Sequence, residues 1–144
     1  MQPNDISETL KTIKEKYINI TEKQLSEIAK TLALESTAYG ATLDIYDSIF
    51  YVGIKINLDD YPWKFDGNAG GFGGFPGTYM SSGDLYSDDL EKLWNNTDSF
   101  MFIFTPVYSS IIFFDSSSNS LGSFNGGNLS FAAGTGGGTG SWDE

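Results

Sequence analysis

Two pairs of adjacent carboxylates, Asp59-Asp60 and Asp88-Asp89, are the residues of this chain whose types could do chemistry. Paired carboxylates can divide acid and base roles in glycoside hydrolysis, and a cluster of them can hold a hard cation. Their spacing argues against both. Neighbours in sequence do not face each other on a helix, and the alternating acids ending in Glu that mark a calcium loop are missing. Capping and solvated turns explain them more simply, as turn formation explains Asp115 to Ser120. Cys and His are absent altogether. Their absence removes disulfides, thiolate and imidazole metal ligands, Ser-His-Asp triads and the usual neutral-pH general base. The residues therefore imply no catalytic group, no metal and no cofactor.

The glycine runs Gly70-Gly71-Phe72-Gly73-Gly74-Phe75 and Gly134-Thr135-Gly136-Gly137-Gly138-Thr139-Gly140 suggest phosphate loops. Neither is followed by a helix with a Lys-Ser or Lys-Thr pair, and neither fits the dinucleotide fingerprint. Tight crossings at strand ends are the expected role. Tyr61, Trp63, Phe72 and Phe75 lie beside these runs and are the candidate surface patch for a sugar or lipid, with core filling as the competing role. Sequons at Asn19, Asn95 and Asn128 would matter only in a eukaryotic secretory route.

The net charge is −11 and every basic residue is Lys, so nucleic acid is a poor partner. Residues 1–30 balance five Lys against five acids, so the whole excess falls in residues 31–144. Such a surface repels anionic lipid at neutral pH, and the repulsion fades in a strongly acidic compartment. The first residues carry neither a basic region nor an apolar run, so no secretory signal is read there. No apolar run is long enough to span a bilayer as a helix.

These residues must be positioned by two kinds of element. Asp5-x-x-Glu8 and Thr21-x-x-Gln24 are capping boxes ahead of helical apolar spacing, which predicts an α-helical N-terminal extension over residues 1–38. A β-domain over residues 39–144 follows. Thr42 to Ile45 and Ile49 to Leu58 alternate, with Phe50, Val52, Ile54, Ile56 and Leu58 expected inside and Ile49, Tyr51, Gly53 and Lys55 outside. Asp59 to Pro62 forms a turn before a strand starting near Trp63.

Asp84 to Thr97 breaks the alternation as a helical stretch, with Ser87 as N-cap and Leu90, Leu93 and Trp94 as its apolar stripe. After it the pattern recurs. Ser48–Ile56 aligns with Pro106–Phe114 at an offset of 58, and Gly77-Thr78 with Gly134-Thr135 at 57. Two related halves, 39–86 and 98–142, follow from this. Without βαβ spacing they must pair antiparallel, and closure would remove exposed aromatic edges. The fold expected is mainly β: a closed eight-stranded antiparallel barrel with one short connecting helix. Phe100, Phe102, Phe104, Tyr108, Ile112 and Phe114 are the first core candidates. Unbroken apolar residues in 100–104 and 111–114 require part of the outer face to be covered as well.

Gly83-x-Leu85-Tyr86-Ser87-Asp88-Asp89-Leu90, Thr97-x-Ser99-Phe100, Phe113-Phe114-Asp115-Ser116, Asn119-x-Leu121-Gly122-x-Phe124 and Gly136-Gly137-Gly138-x-Gly140-x-Trp142 together resemble the rhodococcal virulence-associated proteins of the VapA type. The resemblance covers residues 39–142. It implies a barrel of two Greek-key halves and a non-enzymatic protein that binds a host or target component, the endolysosomal membrane at acid pH among them; the chain itself is expected to be a monomer. It also implies secretion, against which stand the missing signal and the helical extension, so cytoplasmic location or non-classical export is the competing expectation. An alternative is a cytoplasmic immunity or antitoxin-like protein, whose acidic surface would neutralise a basic partner.

Overall fold

Val52, Ile54, Ile56 and Leu58 are buried while Tyr51 and Lys55 are exposed, so the alternation read from the sequence builds a strand with one face on the core. The structure, a computed structural model, describes residues 37–48, 50–70, 76–104, 109–127 and 134–144, together with residues 11, 14, 21–23 and 26. The two expected N-terminal helices otherwise lie outside the described residues, as do Phe72, Phe75 and Tyr108. The strands are β1 (Thr37–Asp47), β2 (Tyr51–Leu58), β3 (Lys64–Gly70) and β4 (Gly77–Ser87), then β5 (Ser99–Phe104), β6 (Ser109–Phe114), β7 (Ser120–Gly126) and β8 (Gly134–Asp143). Between β4 and β5 lies the helix α1 (Leu90–Asn96).

All eight strands pair antiparallel into a closed barrel in the order β1-β2-β3-β8-β5-β6-β7-β4. Within each half the fourth strand returns beside the first, giving β4-β1-β2-β3 and β8-β5-β6-β7. The halves join twice, through β3–β8 and β4–β7. The β4–β7 ladder is short, from Gly83–Gly126 to Tyr86–Ser123. Side chains continue the seam beyond it. Ser81 Oγ and Ser109 Oγ each donate to Gly127 O at 3.0 Å, and Gly127 N donates to Ser82 O at 3.3 Å.

The register gives a single offset between the halves. Leu43 pairs with Ile56 as Phe100 pairs with Phe113, and Ile45 with Ile54 as Phe102 with Ile111, each residue displaced by 57. The offset of 58 for Ser48–Ile56 is therefore one residue too long, a slip that turns β6 over. Ile111 and Phe113 face the core; Ile112 and Phe114 do not belong to that cluster, although they too are buried. The cause is local. All six residues of β6 are buried, so no alternation marks its inner face. Met101 and Ile103 of β5 are likewise buried on the outer face. Lys23 Nζ donates to Ser117 O at 3.2 Å and so touches the β6–β7 turn at the edge of this covered wall.

Ring and glycine change places between the halves. Phe65 and Gly67 of β3 correspond to Gly122 and Phe124 of β7, again displaced by 57. A Cβ on Gly67 would stand 2.7 Å from the Phe100 ring and 2.8 Å from the Phe65 ring, both buried. The run Gly134–Gly140 lies inside β8 rather than at a strand end, and a Cβ on Gly136 would meet the Phe102 ring. Close approach is the right physical role for these glycines, but the neighbours are core rings as well as crossing backbone.

The connecting helix is shorter than its sequence pattern. β4 runs through Ser87, and Asp89 rather than Ser87 is the N-cap, accepting from Lys92 N at 3.1 Å. Ser87 instead is buried, accepts from Asp89 N and donates to Leu121 O, both at 3.2 Å. At the other end Thr97 Oγ1 donates to Leu93 O at 2.6 Å. Leu93 enters the core cluster; Leu90 and Trp94 pack against it only partly buried. Leu93→Ala should lower stability by about 2–5 kcal/mol and Trp94→Ala by less, measured by urea unfolding. In the same assay Gly67→Ala should cost about 1–3 kcal/mol, because the rings around it have no space to yield. Gly70→Ala, whose Cβ would meet nothing within 4 Å among the described residues, is the reference and should change little.

Candidate functional site

The barrel interior is filled by side chains, among them Phe65, Phe102, Phe113, Phe124 and Leu43, so function has to be sought on the outside. On the first half that outside is open. β1 presents Asp44 and Tyr46, β2 presents Tyr51, Gly53 and Lys55, β3 presents Asp66, and β4 presents Thr78 and Met80. Cross-strand register sets these in rows: Met80–Asp44–Lys55–Asp66, and Thr78–Tyr46–Gly53–Asn68. The β1–β2 turn is held by Ser48, whose N and Oγ donate to Tyr51 O at 2.8 and 3.2 Å.

Phe50, at the tip of that turn, is 86% exposed, Met80 69% and Tyr46 57%. These are large apolar surfaces facing water on one side of the barrel, the kind of patch that marks an interaction site. The Tyr46 and Tyr51 rings stand 6.3 Å apart, tilted by 55°. A cleft of about 370 Å³ lies against Asp44, Tyr46, Tyr51, Gly53, Lys55 and Asp66. A second, wider one of about 580 Å³ runs from Tyr46 and Phe50 to Pro76 and Gly77.

Phe50 corrects the sequence reading, which placed it with the core face of β2. The strand begins at Tyr51, and Phe50 belongs to the turn, where strand alternation does not apply. Tyr46 and Met80 were not singled out at all. The signal for Tyr46 was present, since it follows Leu43 and Ile45 in the alternating pattern and so must face outward.

Of the four residues proposed from the sequence, Tyr61 and Trp63 lie at the α1 end of the barrel. Trp63 stacks on Trp94 at 4.8 Å with the rings 8° from parallel, and Tyr61 packs against Trp94 at 5.6 Å and Tyr39 at 5.9 Å. They pin the helix to the barrel, and Tyr61 keeps 39% exposure. The structure does not bring them together with the β1–β2 wall.

The carboxylate pairs are likewise placed. Asp89 caps α1, and Asp59 N donates to Gly40 O at 3.0 Å in the β2–β3 turn. Asp115 forms the β6–β7 turn, accepting from Ser117 N and Asn119 N at 2.9 Å and from Asn119 Nδ2 at 3.1 Å. Burial pushes its carboxyl up, but the hydrogen bonds from Asn119 and Ser117, with Lys92 nearby, outweigh that and hold it below the ordinary carboxylate range. Among the described residues no group of three or more Asp or Glu is placed to hold a metal ion.

A family model described as Rhodococcus equi virulence-associated protein matches residues 1–143, a span that takes in the N-terminal segment as well as the barrel. Among solved structures, the virulence-associated protein VapB of the intracellular pathogen Rhodococcus equi is 33% identical. It superimposes with a TM-score of 0.71 over 76% of this chain and 99% of its own. VapD of the same organism is 31% identical, with a TM-score of 0.69 over 76% of this chain and 100% of its own. No curated protein sequence matches.

Asp47 sits at the base of the exposed turn, 3% exposed, with Oδ2 buried and without a hydrogen-bond partner among the described residues. Loss of water pushes its carboxyl above the ordinary value. A folded-state pKa above the unfolded one means that ionised Asp47 costs stability at neutral pH, and that the cost is relieved as pH falls through the folded pKa. The stability gained by Asp47→Asn, followed by thermal melting, should therefore be largest at pH 7 and shrink toward pH 4. A gain that does not vary with pH would show the carboxylate to be solvated.

Proposed function

The chain belongs to the Rhodococcus equi virulence-associated protein family, and from that premise we propose that it is a non-enzymatic binding protein acting through the outer wall of its first half. Its target is a host or target-cell component, and the component the wall fits is a membrane surface at acid pH. The observation that carries this is the Phe50 turn. A phenylalanine 86% exposed, sharing the wider cleft with Tyr46 and with Met80 on the same wall, gains by leaving water, and burying such side chains is worth about 1.5–3 kcal/mol each.

Acidity enters through charge. At neutral pH a net charge of −11 opposes approach to an anionic bilayer, and protonation of carboxylates weakens that opposition. Among the described residues no helix is long and apolar enough to cross a membrane, and the contact proposed is a peripheral one. Peripheral binding needs apolar side chains at an accessible tip, which the β1–β2 turn supplies.

Flotation of the full chain with vesicles of phosphatidylcholine, with and without phosphatidylserine, tests the proposal at pH 5 and pH 7. On the phosphatidylserine vesicles more of the protein should float at pH 5 than at pH 7. The doubly substituted Phe50→Ala, Met80→Ala chain should bind at least about tenfold more weakly at pH 5. Wild-type protein that stays at the bottom of the gradient at both pH values would end the membrane reading.

A further inference from the structure

The notch over Gly53 has a chemistry that a bilayer contact does not use. Gly53 lies opposite Tyr46 on β1 and next but one to Tyr51 on its own strand. A Cβ on Gly53 would stand 3.1 Å from Tyr51 Cε1 and 3.2 Å from its Oη, so the Tyr51 ring lies over the glycine. With Tyr46 beside it, the floor of the 370 Å³ cleft carries two tilted phenol rings. One row further along the strands stand Asp44, Lys55 and Asp66, an ammonium with a carboxylate on each side. Asn57 Nδ2 donates to Asp44 Oδ2 at 3.4 Å, which helps to fix that carboxylate.

The barrel does not require this arrangement. At the equivalent places of the second half, displaced by 57, stand Met101 for Asp44, Ile103 for Tyr46, Ser110 for Gly53 and Ile112 for Lys55, all buried. The same wall position can therefore be apolar and covered, and in the first half it is aromatic, charged and open.

We propose that the cleft formed by Tyr46, Tyr51, Gly53, Lys55, Asp44 and Asp66 binds a neutral saccharide. This rests on the reading of the chain as a binding protein acting through this wall, and it names a ligand class for one part of that wall. Charge selects the class. Lys55 at the centre of the row repels a cation that the tyrosine rings would otherwise attract, and Asp44 and Asp66 repel an anion. A ligand with one apolar C–H face and an edge of hydroxyls meets both halves of the cleft. The pyranose face stacks on the phenol rings, and its hydroxyls donate to the carboxylates and accept from the ammonium. The volume falls in the range of small-molecule sites.

Isotope-labelled full chain titrated with cellotetraose, maltotetraose and chitotetraose, each to about 10 mM, tests this by amide chemical shift, a range that detects millimolar affinity. With at least one of the three sugars, saturable shifts should centre on residues 44–46, 53–55 and 66. Tyr46→Ala and Tyr51→Ala should each weaken binding about tenfold or more, with the rest of the spectrum unchanged to show that the barrel is intact. Phe50→Ala should keep the sugar response. No saturable shift with any of the three sugars, or binding untouched by both tyrosine substitutions, overturns the site. Vesicle flotation without sugar binding would remove the saccharide and leave the membrane contact standing; sugar binding without flotation would do the reverse.

Discussion

The interior of an eight-stranded barrel is a small, closed volume, and in this protein it is filled by aromatic rings. Phe65 lies at the centre, edge-on to Phe100 at 5.6 Å and to Phe113 at 5.0 Å, and Trp142 tilts against both Phe65 and Phe113. Rings this large fit only where neighbouring strands give up their side chains. Gly67 under Phe65 and Phe100, and Gly136 under Phe102, are therefore part of the packing rather than turn residues. Between equivalent strands Phe65-Gly67 is exchanged for Gly122-Phe124, but the two glycines meet different neighbours: Gly67 lies under core rings, whereas a Cβ on Gly122 would meet the Tyr86 carbonyl.

Closure then decides how the halves meet. Backbone pairing carries β3–β8 along six residue pairs, Lys64–Asp143 to Ala69–Gly138, whereas β4–β7 stops after four. Buried hydroxyls of Ser81 and Ser109 take over at the open stretch, sharing the carbonyl of Gly127 and approaching each other at 3.2 Å. The helix closes the barrel from one end with Leu93, while Trp94 reaches across to Trp63 and ties the helix to the start of β3.

A filled interior leaves the outer surface as the face open to other molecules, and the two halves differ there. β5 and β6 are buried on both faces, so the second half has no free wall there. The first half carries its charge, its tyrosines and the Phe50 turn outward. The two halves share one scaffold, and the divergence of their walls leaves the first open and the second buried.

The sequence by itself determined the class of fold. Alternation in Val52 to Leu58, the recurrence of the pattern after the helix, and the Asp59 and Asp115 turns are local properties, fixed by strand pleat and turn chemistry over a few residues. They sufficed for two antiparallel halves and a closed barrel. What they could not fix was any feature set by a neighbour distant in the chain. The inner face of β6 was illegible because Ile111 to Phe114 are apolar on both sides, so a single-residue slip left the pattern looking the same. Phe50 looked like core because hydrophobicity records what a side chain would prefer, whereas the β1–β2 turn decides where it can go. Tyr61 and Trp63 meet Trp94 of the connecting helix, the first tilted against it and the second stacked on it, a contact between segments that neither segment records alone. Only the pairing of β1, β2 and β3 brings Asp44, Gly53 and Asp66 into one cleft, because cross-strand register, unlike alternation, is a relation between segments and is written in neither one alone.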